Sequence, residues 1–264
     1  MCDYAGHSIR RIVRKFGAFS DLREWDRLDG QVELSVFDNL FGPKQKEDTR
    51  EPVCLPDDFV SLTKKQLPLA SKPARKYLTE RGISHSDILR WKIGYCPSGD
   101  YKGRIIIPSF SLAGELNYFV GRSYTGHWQK YDQPSASKDI VFNHLYVDWD
   151  DDIIIVEGVF DAIVAGSNAI PILGSTLKEN SKLFQEIVAH DSVVYVALDP
   201  DAERKSLKLI KQLLDYDIEL YKVNIAPYGD VGEMFRGEFE KRKQQSQRMS
   251  QEKYLRYCAV NGIF

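Results

Sequence analysis

Apolar runs and amphipathic stretches alternate along the second half of the chain. The apolar runs, which predict strands, are residues 153–156, 169–173, 192–198 and 218–223. The amphipathic segments between them, which predict helices, are residues 160–165, 177–189 and 203–214. Strands without polar alternation, separated by helices, are typical of a parallel sheet that helices cover on both faces. The pattern therefore predicts an α/β fold over residues 148–235.

The preceding segment, residues 51–147, has a mixed pattern. Ser71 before Lys72-Pro73 and the pair Ser84/Ser86 are typical helix starts, which predicts two short helices between residues 67 and 95. Two β-rich runs, Ile105-Ile106-Ile107 and residues 116–120, flank a turn at residues 112–115 and predict an antiparallel hairpin. This segment is predicted to be a small α+β subdomain.

Both ends of the chain are polar. Residues 1–50 contain a predicted helix at residues 8–16, and residues 41–56 have the Gly, Pro and charged composition of a linker. Residues 236–264 form a charged, Gln-rich tail in which residues 238–257 are predicted to be helical. We therefore expect four segments: residues 1–50, 51–147, 148–235 and 236–264.

Charge is divided unevenly between the two central segments. The whole chain has 36 Lys and Arg against 38 Asp and Glu, but residues 51–147 have 13 against 9 and residues 148–235 have 7 against 17. A basic segment beside an acidic one fits a protein that contacts polyanions with one part and concentrates cations with the other. Two ordinary solvated surfaces would show the same balance.

The sequence favours a cytoplasmic protein with no membrane partner. No apolar run approaches the roughly 20 residues of a membrane-spanning helix, and the polar N-terminus is unlike a signal peptide. The cysteines are widely spaced, which disfavours both a disulfide framework and a complete metal site within this chain. They are Cys2, Cys54, Cys96 and Cys258.

Five carboxylates follow predicted strands at the edge where an open parallel sheet binds ligands. They are Glu157, Asp161, Asp199, Asp201 and Asp230. Like charges gathered at one edge repel each other unless a cation neutralises them. All-oxygen ligation without nearby His or Cys favours Mg²⁺ or Mn²⁺. The sequence therefore predicts a divalent-cation site, although any one of these residues alone would more often be a turn or cap residue.

Two other features bear on this edge. Gly158 allows a close turn beside the metal, and Gly174-Ser175-Thr176 offers a tight loop toward phosphate or metal. The histidines are isolated, so a hydrolytic Ser/His/Asp triad is not supported. The pair His127-Trp128 is expected to pack rather than to contact nucleic acid.

The segment Glu157-Gly158-Val159-Phe160-Asp161, followed about 40 residues later by Asp199-Pro200-Asp201, resembles the Toprim motif. Toprim domains are shared by bacterial-type primases, topoisomerases, recombination-mediator proteins and some nucleases. The upstream segments select among these families, because they resemble the catalytic domain of bacterial and phage (DnaG-like) primases. These segments are Tyr77-Leu78, Arg81-Gly82-Ile83, Ile88, Ile93-Gly94-Tyr95, Gly103-Arg104-Ile105-Ile106-Ile107-Pro108, Gly114, Gly121-Arg122 and Lys130-Tyr131. The likeness covers about residues 70–235.

The resemblance implies a DNA primase that makes short RNA primers on single-stranded DNA by Mg²⁺-dependent nucleotidyl transfer during DNA replication. It implies a Toprim-type sheet preceded by a basic subdomain. Glu157, Asp161, Asp199 and Asp201 would be the catalytic residues, with Glu157 as metal-proximal acid or general base and Asp161 in support. The metal ligands would be Glu157, Asp199, Asp201 and Asp230. Arg104, Arg122 and Lys130 would contact template or nucleotide phosphates, and Tyr131 would stack on a base.

The implied partners are single-stranded template, ribonucleoside triphosphates and a separate replicative helicase, since nothing after Asp230 resembles a P-loop. The segment Cys2-Asp3-Tyr4-Ala5-Gly6 resembles the last knuckle of a primase zinc ribbon, so zinc is expected only if cysteines upstream of Met1 complete it. An ordinary exposed thiol at Cys2 is equally compatible. The location would be the host cytosol if a phage encodes the chain.

Two other functions stay open at this point. One is a Toprim nuclease that cuts DNA with the same metals, against which the primase-like segment 75–131 argues. The other is a non-catalytic primase remnant that binds single-stranded DNA or a helicase, a possibility that the incomplete zinc ribbon sustains. A topoisomerase would need an active-site Tyr in a further domain, for which 264 residues leave little room.

Overall fold

The computed structural model describes residues 52–174 and 177–260, together with Gly17, Ala18 and Glu24. Contacts divide the chain into two units, residues 1–51 and 52–264, and both sheets belong to the second. The predicted helix at residues 8–16 and the ribbon-like segment at residues 2–6 lie outside the described residues. Ser175 and Thr176 of the predicted loop also lie outside them.

Two sheets and their helices account for the described part of residues 52–260. The strands are β1 Val60–Ser61, β2 Gly94–Cys96, β3 Arg104–Phe110, β4 Leu116–Ser123, β5 Tyr131–Asp132, β6 Ile153–Val156, β7 Ala169–Pro171, β8 Val194–Ala197, β9 Leu220–Lys222 and β10 Gln247–Met249. The α-helices are α1 Lys72–Glu80, α2 His85–Arg90, α3 Val159–Ala165, α4 Lys182–Ala189, α5 Glu203–Asp215, α6 Arg236–Gln245 and α7 Gln251–Val260. Short 3₁₀ turns occur at Leu69–Ser71, His144–Tyr146, Pro200–Ala202 and Val231–Glu233.

The first sheet is antiparallel, with strand order β1-β2-β3-β4-β5. Its centre is the predicted hairpin of β3 and β4, in which Ile106 lies opposite Gly121. Gly114 takes a positive φ of 81° in the connecting turn, a conformation that a residue with a side chain rarely adopts. The mixed pattern of residues 51–147 thus produces the α+β arrangement that it predicts.

Both short helices of this segment form where the sequence predicts them. Pro73 is the second residue of α1, where its missing N–H interrupts no helical hydrogen bond. Ser84 and Asp87 form a reciprocal capping box at the start of α2, in which the Ser84 hydroxyl accepts from the Asp87 N–H and the Asp87 carboxylate accepts from the Ser84 N–H. Arg236 of α6 then donates to Asp87 at 2.7 Å, which joins α2 to the C-terminal segment.

The second sheet has strand order β10-β9-β8-β6-β7, and β9, β8, β6 and β7 are parallel. All four residues of β6 are buried, which explains the absence of polar alternation in its sequence. Val156 at the end of β6 lies beside Ala197 of β8 and Pro171 of β7. The residues that directly follow β6 and β8 therefore emerge side by side at one edge.

Two sequence predictions are wrong in detail. The helix predicted over residues 177–189 begins only at Lys182, because Leu177 packs into the core from an extended loop and Asp139 accepts the Lys182 N–H at 2.9 Å. The tail predicted as helical over residues 238–257 is interrupted by β10, which pairs antiparallel with β9. Pairing with an available sheet edge outweighs the weak helical preference of this Gln- and Ser-rich stretch.

A single set of buried apolar residues extends through both sheets, from Leu62 in the first segment to Cys258 in α7. The two sheets therefore share one core. Among the described residues, we find no helix that is both long and apolar enough to cross a membrane.

Candidate active site

Three carboxylates meet at the carboxyl edge of the parallel sheet. Glu157 directly follows β6, and Asp199 and Asp201 follow β8. One carboxylate oxygen of each residue lies within 4.8 Å of one oxygen of each of the others. Because β6 and β8 are paired neighbours, strand topology alone brings these side chains together. We call this group the acidic cluster.

The acidic cluster has unsatisfied oxygen atoms. Glu157 Oε2 and Asp199 Oδ1 are buried and have no hydrogen-bond partner among the described residues. Burial, followed by repulsion from neighbouring carboxylates, raises the pKa of Asp199 from 3.8 to about 7. Lys205 on α5 offsets part of the charge, with its Nζ 3.6 Å from Glu157 Oε1. Buried, unpaired carboxylate oxygens form the kind of donor set that binds Mg²⁺ or Mn²⁺.

Asp161 is buried in the first turn of α3 and bonded to the backbone of two loops. It is 7% exposed, and its two oxygens accept hydrogen bonds from the N–H groups of Gly158 (2.7 Å) and Gly232 (2.8 Å). Burial and the neighbouring Asp230 raise the pKa of Asp161 to about 6. This carboxylate therefore ties the loop after β6 to the loop that carries Asp230, and its catalytic role stays a prediction.

Asp230 is near the acidic cluster but is not one of its three members. Its Oδ1 accepts the Glu233 N–H at 2.8 Å and caps the 3₁₀ turn Val231–Glu233. Asp230 contributes to the raised pKa values of Asp161 and Asp199, which places its charge in the same electrostatic environment. Its predicted role as a metal ligand stays a prediction.

Two glycines are needed because Asp161 approaches the backbone so closely. A Cβ atom at Gly158 would lie 2.9 Å from Asp161 Oδ2, and one at Gly232 would lie 2.9 Å from Asp161 Oδ1. Gly158 was predicted to allow a close turn. Gly232 was not predicted, because it lies 71 residues from the carboxylate that it contacts.

A group of arginine and tyrosine side chains surrounds Tyr131, which is within electrostatic range of Asp161. Arg122 donates to the Tyr77 hydroxyl at 3.0 Å, and its guanidinium carbon is 4.5 Å from the centre of the Tyr131 ring. Burial raises the pKa of Tyr131, Arg122 opposes that rise and Asp161 adds to it. Tyr131 and Arg122 are therefore within electrostatic range of the acidic edge. Arg81, whose guanidinium carbon is 5.1 Å from the Tyr77 ring, joins this group although no role was predicted for it.

The remaining predicted contact residues are distributed differently. Arg104 is 5% exposed, donates to the Gln129 carbonyl at 3.1 Å and lies 3.6 Å from Asp132. It holds the hairpin internally, whereas a phosphate contact was predicted. Lys130 is exposed. Trp128 is 84% exposed, so the expectation that it packs is wrong, and an aromatic surface stands two residues from Lys130.

The architecture is that of a primase catalytic core. The RNA polymerase domain of Mycobacterium tuberculosis primase DnaG, bound to double-stranded DNA with a 6-nucleotide overhang, superimposes with a TM-score of 0.58 at 18% identity, covering 70% of this chain and 76% of that one. A DnaG primase catalytic domain bound to single-stranded DNA gives a TM-score of 0.58 at 17% identity, covering 69% of this chain and 74% of that one. The zinc-binding and RNA polymerase domains of Aquifex aeolicus primase give a TM-score of 0.57 at 20% identity, covering 67% of this chain and 57% of that one.

Sequence comparison points to the same class. The chain is 26% identical to the DNA primase of Thermotoga maritima, in a match that covers 64% of this chain. The chain spans 38% of the length of that relative. No family model matches the sequence. The resemblance to DnaG-type primases is thereby confirmed as homology, and the predicted α/β fold is confirmed.

Proposed function

We propose that this chain is the catalytic part of a DNA primase, which joins ribonucleotides into a short RNA primer on a single-stranded DNA template. The observation that carries the proposal is the acidic cluster, whose three carboxylates lie at the edge of a sheet with the primase fold. The geometry supports phosphoryl chemistry, in which positioning and charge neutralisation lower the barrier. Such a site needs no nucleophilic side chain.

Glu157, Asp199 and Asp201 would hold the divalent cations, with Mg²⁺ or Mn²⁺ favoured by the all-oxygen donor set. When bound, these ions neutralise charge on the transferred phosphate and on the attacking and leaving oxygens. Asp161 keeps the loop after β6 fixed through its two backbone hydrogen bonds. Lys205 lowers the local negative charge, which eases the approach of a nucleotide.

Nucleic acid would approach from the first sheet. Tyr131 is within electrostatic range of Asp161 and contacts Arg122, while Lys130 and Trp128 extend from the loop between β4 and β5. A cationic side chain beside an exposed indole suits a flexible single strand, because phosphates take the charge and bases stack on the ring. Two of the similar primase structures contain DNA, one single-stranded and one with a 6-nucleotide overhang.

The remaining parts of the proposal extend beyond the described residues. Ribonucleoside triphosphates would be the substrates, and a separate replicative helicase would deliver the template. Zinc would bind only if cysteines upstream of Met1 complete the ribbon that Cys2 would close. The reaction would take place in the cytoplasm.

A template assay tests the proposal against its alternatives. The chain is incubated with single-stranded DNA, labelled ribonucleotides and Mg²⁺, and short RNA products are expected. A shortened template would instead identify a nuclease, and binding without either product would identify a non-catalytic remnant.

Two variants connect the product to the site. Glu157→Gln should abolish synthesis with no loss of thermal stability, because the side chain keeps its size and loses its charge. Glu115→Gln, at an exposed position in the turn of the hairpin, is the matched control and should keep full activity. Synthesis by Glu157→Gln at the unaltered rate would show that the acidic cluster is not the active site.

A further inference from the structure

A cavity lined mainly by cationic side chains lies beside β9 and β10 of the same sheet. It has a volume of about 740 Å³ and is formed by the end of β9, by β10 and by helices α6 and α7. Five cationic side chains and one carboxylate line it: Lys222, Lys241, Arg242, Arg248, Lys253 and Glu238. We call it the basic cavity. Much of its charge comes from the C-terminal tail, where residues 236–264 contain seven Lys and Arg against three Asp and Glu.

Neighbouring carboxylates neutralise only part of this charge. Arg242 pairs with Glu238 at 2.7 Å, and Lys222 pairs with Glu203 at 3.1 Å. Arg248 is 4.0 Å from Glu219, a marginal ion-pair distance. Counting all three carboxylates against the five cations leaves an excess of two positive charges.

Two lysines account for that excess. Lys253 Nζ donates to the Arg248 carbonyl at 3.1 Å, a contact that leaves its charge uncompensated. Lys241 is exposed, and no described residue forms an ion pair with it. An open cavity with uncompensated ammonium groups attracts anions, and phosphate is the anion that a nucleotidyl-transfer site handles.

Topology places the basic cavity close to the acidic cluster. The cluster follows β6 and β8, and the cavity adjoins the end of β9, which pairs with β8. Adjacent strands are about 4.8 Å apart, so the ends of β8 and β9 are direct neighbours. The Lys222–Glu203 pair lies between them, two residues beyond Asp201.

We propose that the basic cavity binds the phosphate backbone of the nucleic-acid strand that passes over the acidic cluster. This inference rests on the proposed function for the identity of the strand. The cations come from β9, α6, β10 and α7, and such a spread suits successive phosphates better than one compact triphosphate. The apolar lining is limited to Met249, which is buried, and Tyr257. Lys222 Nζ lies 5.3 Å from the centre of the Tyr257 ring. The contact is therefore independent of base sequence.

The salt dependence of binding tests this proposal. Binding of a fluorescently labelled oligo(dT) strand is measured by anisotropy at several salt concentrations, with EDTA present so that no divalent cation contributes. Each phosphate contact to a single strand contributes about 0.7 to the slope of log K against log salt. Lys241→Gln with Lys253→Gln should therefore reduce the magnitude of the slope by about 1.4.

Two control pairs make the result specific. Lys208→Gln with Lys211→Gln removes the same charge from exposed positions on α5 outside the cavity and should leave the slope unaltered. Lys241→Arg with Lys253→Arg keeps the charge and should retain the original slope, and thermal unfolding checks that every variant is folded. An unaltered slope in the cavity variant, or an equal reduction in the α5 control, would overturn the proposal.

A further arm distinguishes a strand from a free nucleotide. ATP binding is measured by calorimetry, again in EDTA. If the cavity variant loses ATP binding while its slope for the strand is unaltered, the cavity is a site for free polyphosphates and the proposal is wrong. Synthesis is not measured here, so a failure of the primase assay and a failure of this inference are separate results.

Discussion

Replacing Asp199 with Asn should stabilise the metal-free protein while it weakens metal binding. Burial and repulsion from the other carboxylates raise the pKa of Asp199 from 3.8 to about 7. At about 1.4 kcal/mol for each tenfold change in proton affinity, the unscreened cost of the charge is about 4 kcal/mol. Because the side chain is partly exposed and salt screens it, we expect the variant to gain about 1–2 kcal/mol in the free energy of unfolding.

Thermal unfolding in EDTA at pH 8 measures this gain. A change of 1 kcal/mol moves the midpoint of a domain of this size by about 2–4 °C, so Asp199→Asn should unfold about 2–8 °C higher than the wild type. Adding Mg²⁺ should raise the midpoint of the wild type, because a ligand that binds only the folded state stabilises it. The same addition should raise the midpoint of the variant less. Asp57→Asn, at an exposed position remote from the acidic edge in sequence, is the control and should match the wild type.

The pH dependence gives an independent check on the same reasoning. Between about pH 4 and pH 7 the folded state keeps the Asp199 proton and the unfolded state releases it, so the stability of the metal-free wild type should fall as the pH rises through this range. The fall should be smaller in Asp199→Asn. If the variant unfolds at or below the wild-type temperature in EDTA at pH 8, repulsion within the acidic cluster is not a destabilising force and the argument for a cation site is lost.

Two further predictions concern the loops around this edge. Gly232→Ala should lower the free energy of unfolding by about 1–3 kcal/mol in urea titrations, since its Cβ would lie 2.9 Å from Asp161 Oδ1. Gly237→Ala is the control, because its Cβ would meet no atom within 4 Å and the protein should not be destabilised. Equal losses in both variants would contradict the close-contact explanation. Trp128→Ala should weaken binding of single-stranded DNA about tenfold, the loss of one stacked base. Single-stranded DNA should also quench tryptophan fluorescence in the wild type, and the quenching should be smaller in Trp128→Phe. Leu112→Ala, at another exposed apolar position, is the control and should behave like the wild type. Full quenching in Trp128→Phe would exclude stacking at this position.

The sequence predicts the acidic edge well because its cause is local. Glu157 and Asp199 directly follow apolar runs, with Asp201 two residues further on, and parallel strands place their carboxyl ends at one edge whatever their order. Glu157, Asp199 and Asp201 could therefore be grouped without coordinates. The sequence alone does not distinguish a carboxylate that faces a ligand from a carboxylate that bonds to the backbone. Asp161 looks the same as the others in the sequence, and only its hydrogen bonds to Gly158 and Gly232 show that it positions loops.

The features that the sequence did not predict depend on contacts between distant segments. Strand β10 forms because β9 offers an open edge, and its own residues, Gln247, Arg248 and Met249, have no strong β preference. Arg104 belongs to a motif that suggests phosphate binding, but the register of the hairpin turns it inward toward Asp132. Trp128 shows the opposite case, since composition predicts burial of an indole and the loop between β4 and β5 leaves it exposed.

The placement of charge explains how an acidic sheet edge can accept a polyanion. The acidic cluster alone would repel a nucleic-acid strand, and divalent cations neutralise only the few phosphates that reach it. Arg122 and Lys130 supply positive charge on the side of the first sheet, and the basic cavity supplies it beyond β9. The cation-rich segments therefore flank the cluster along the chain, in residues 51–147 before it and residues 236–264 after it. Under the proposed function, the C-terminal strand and helices would form part of the substrate path, because without them the strand would leave the acidic cluster over uncompensated negative charge.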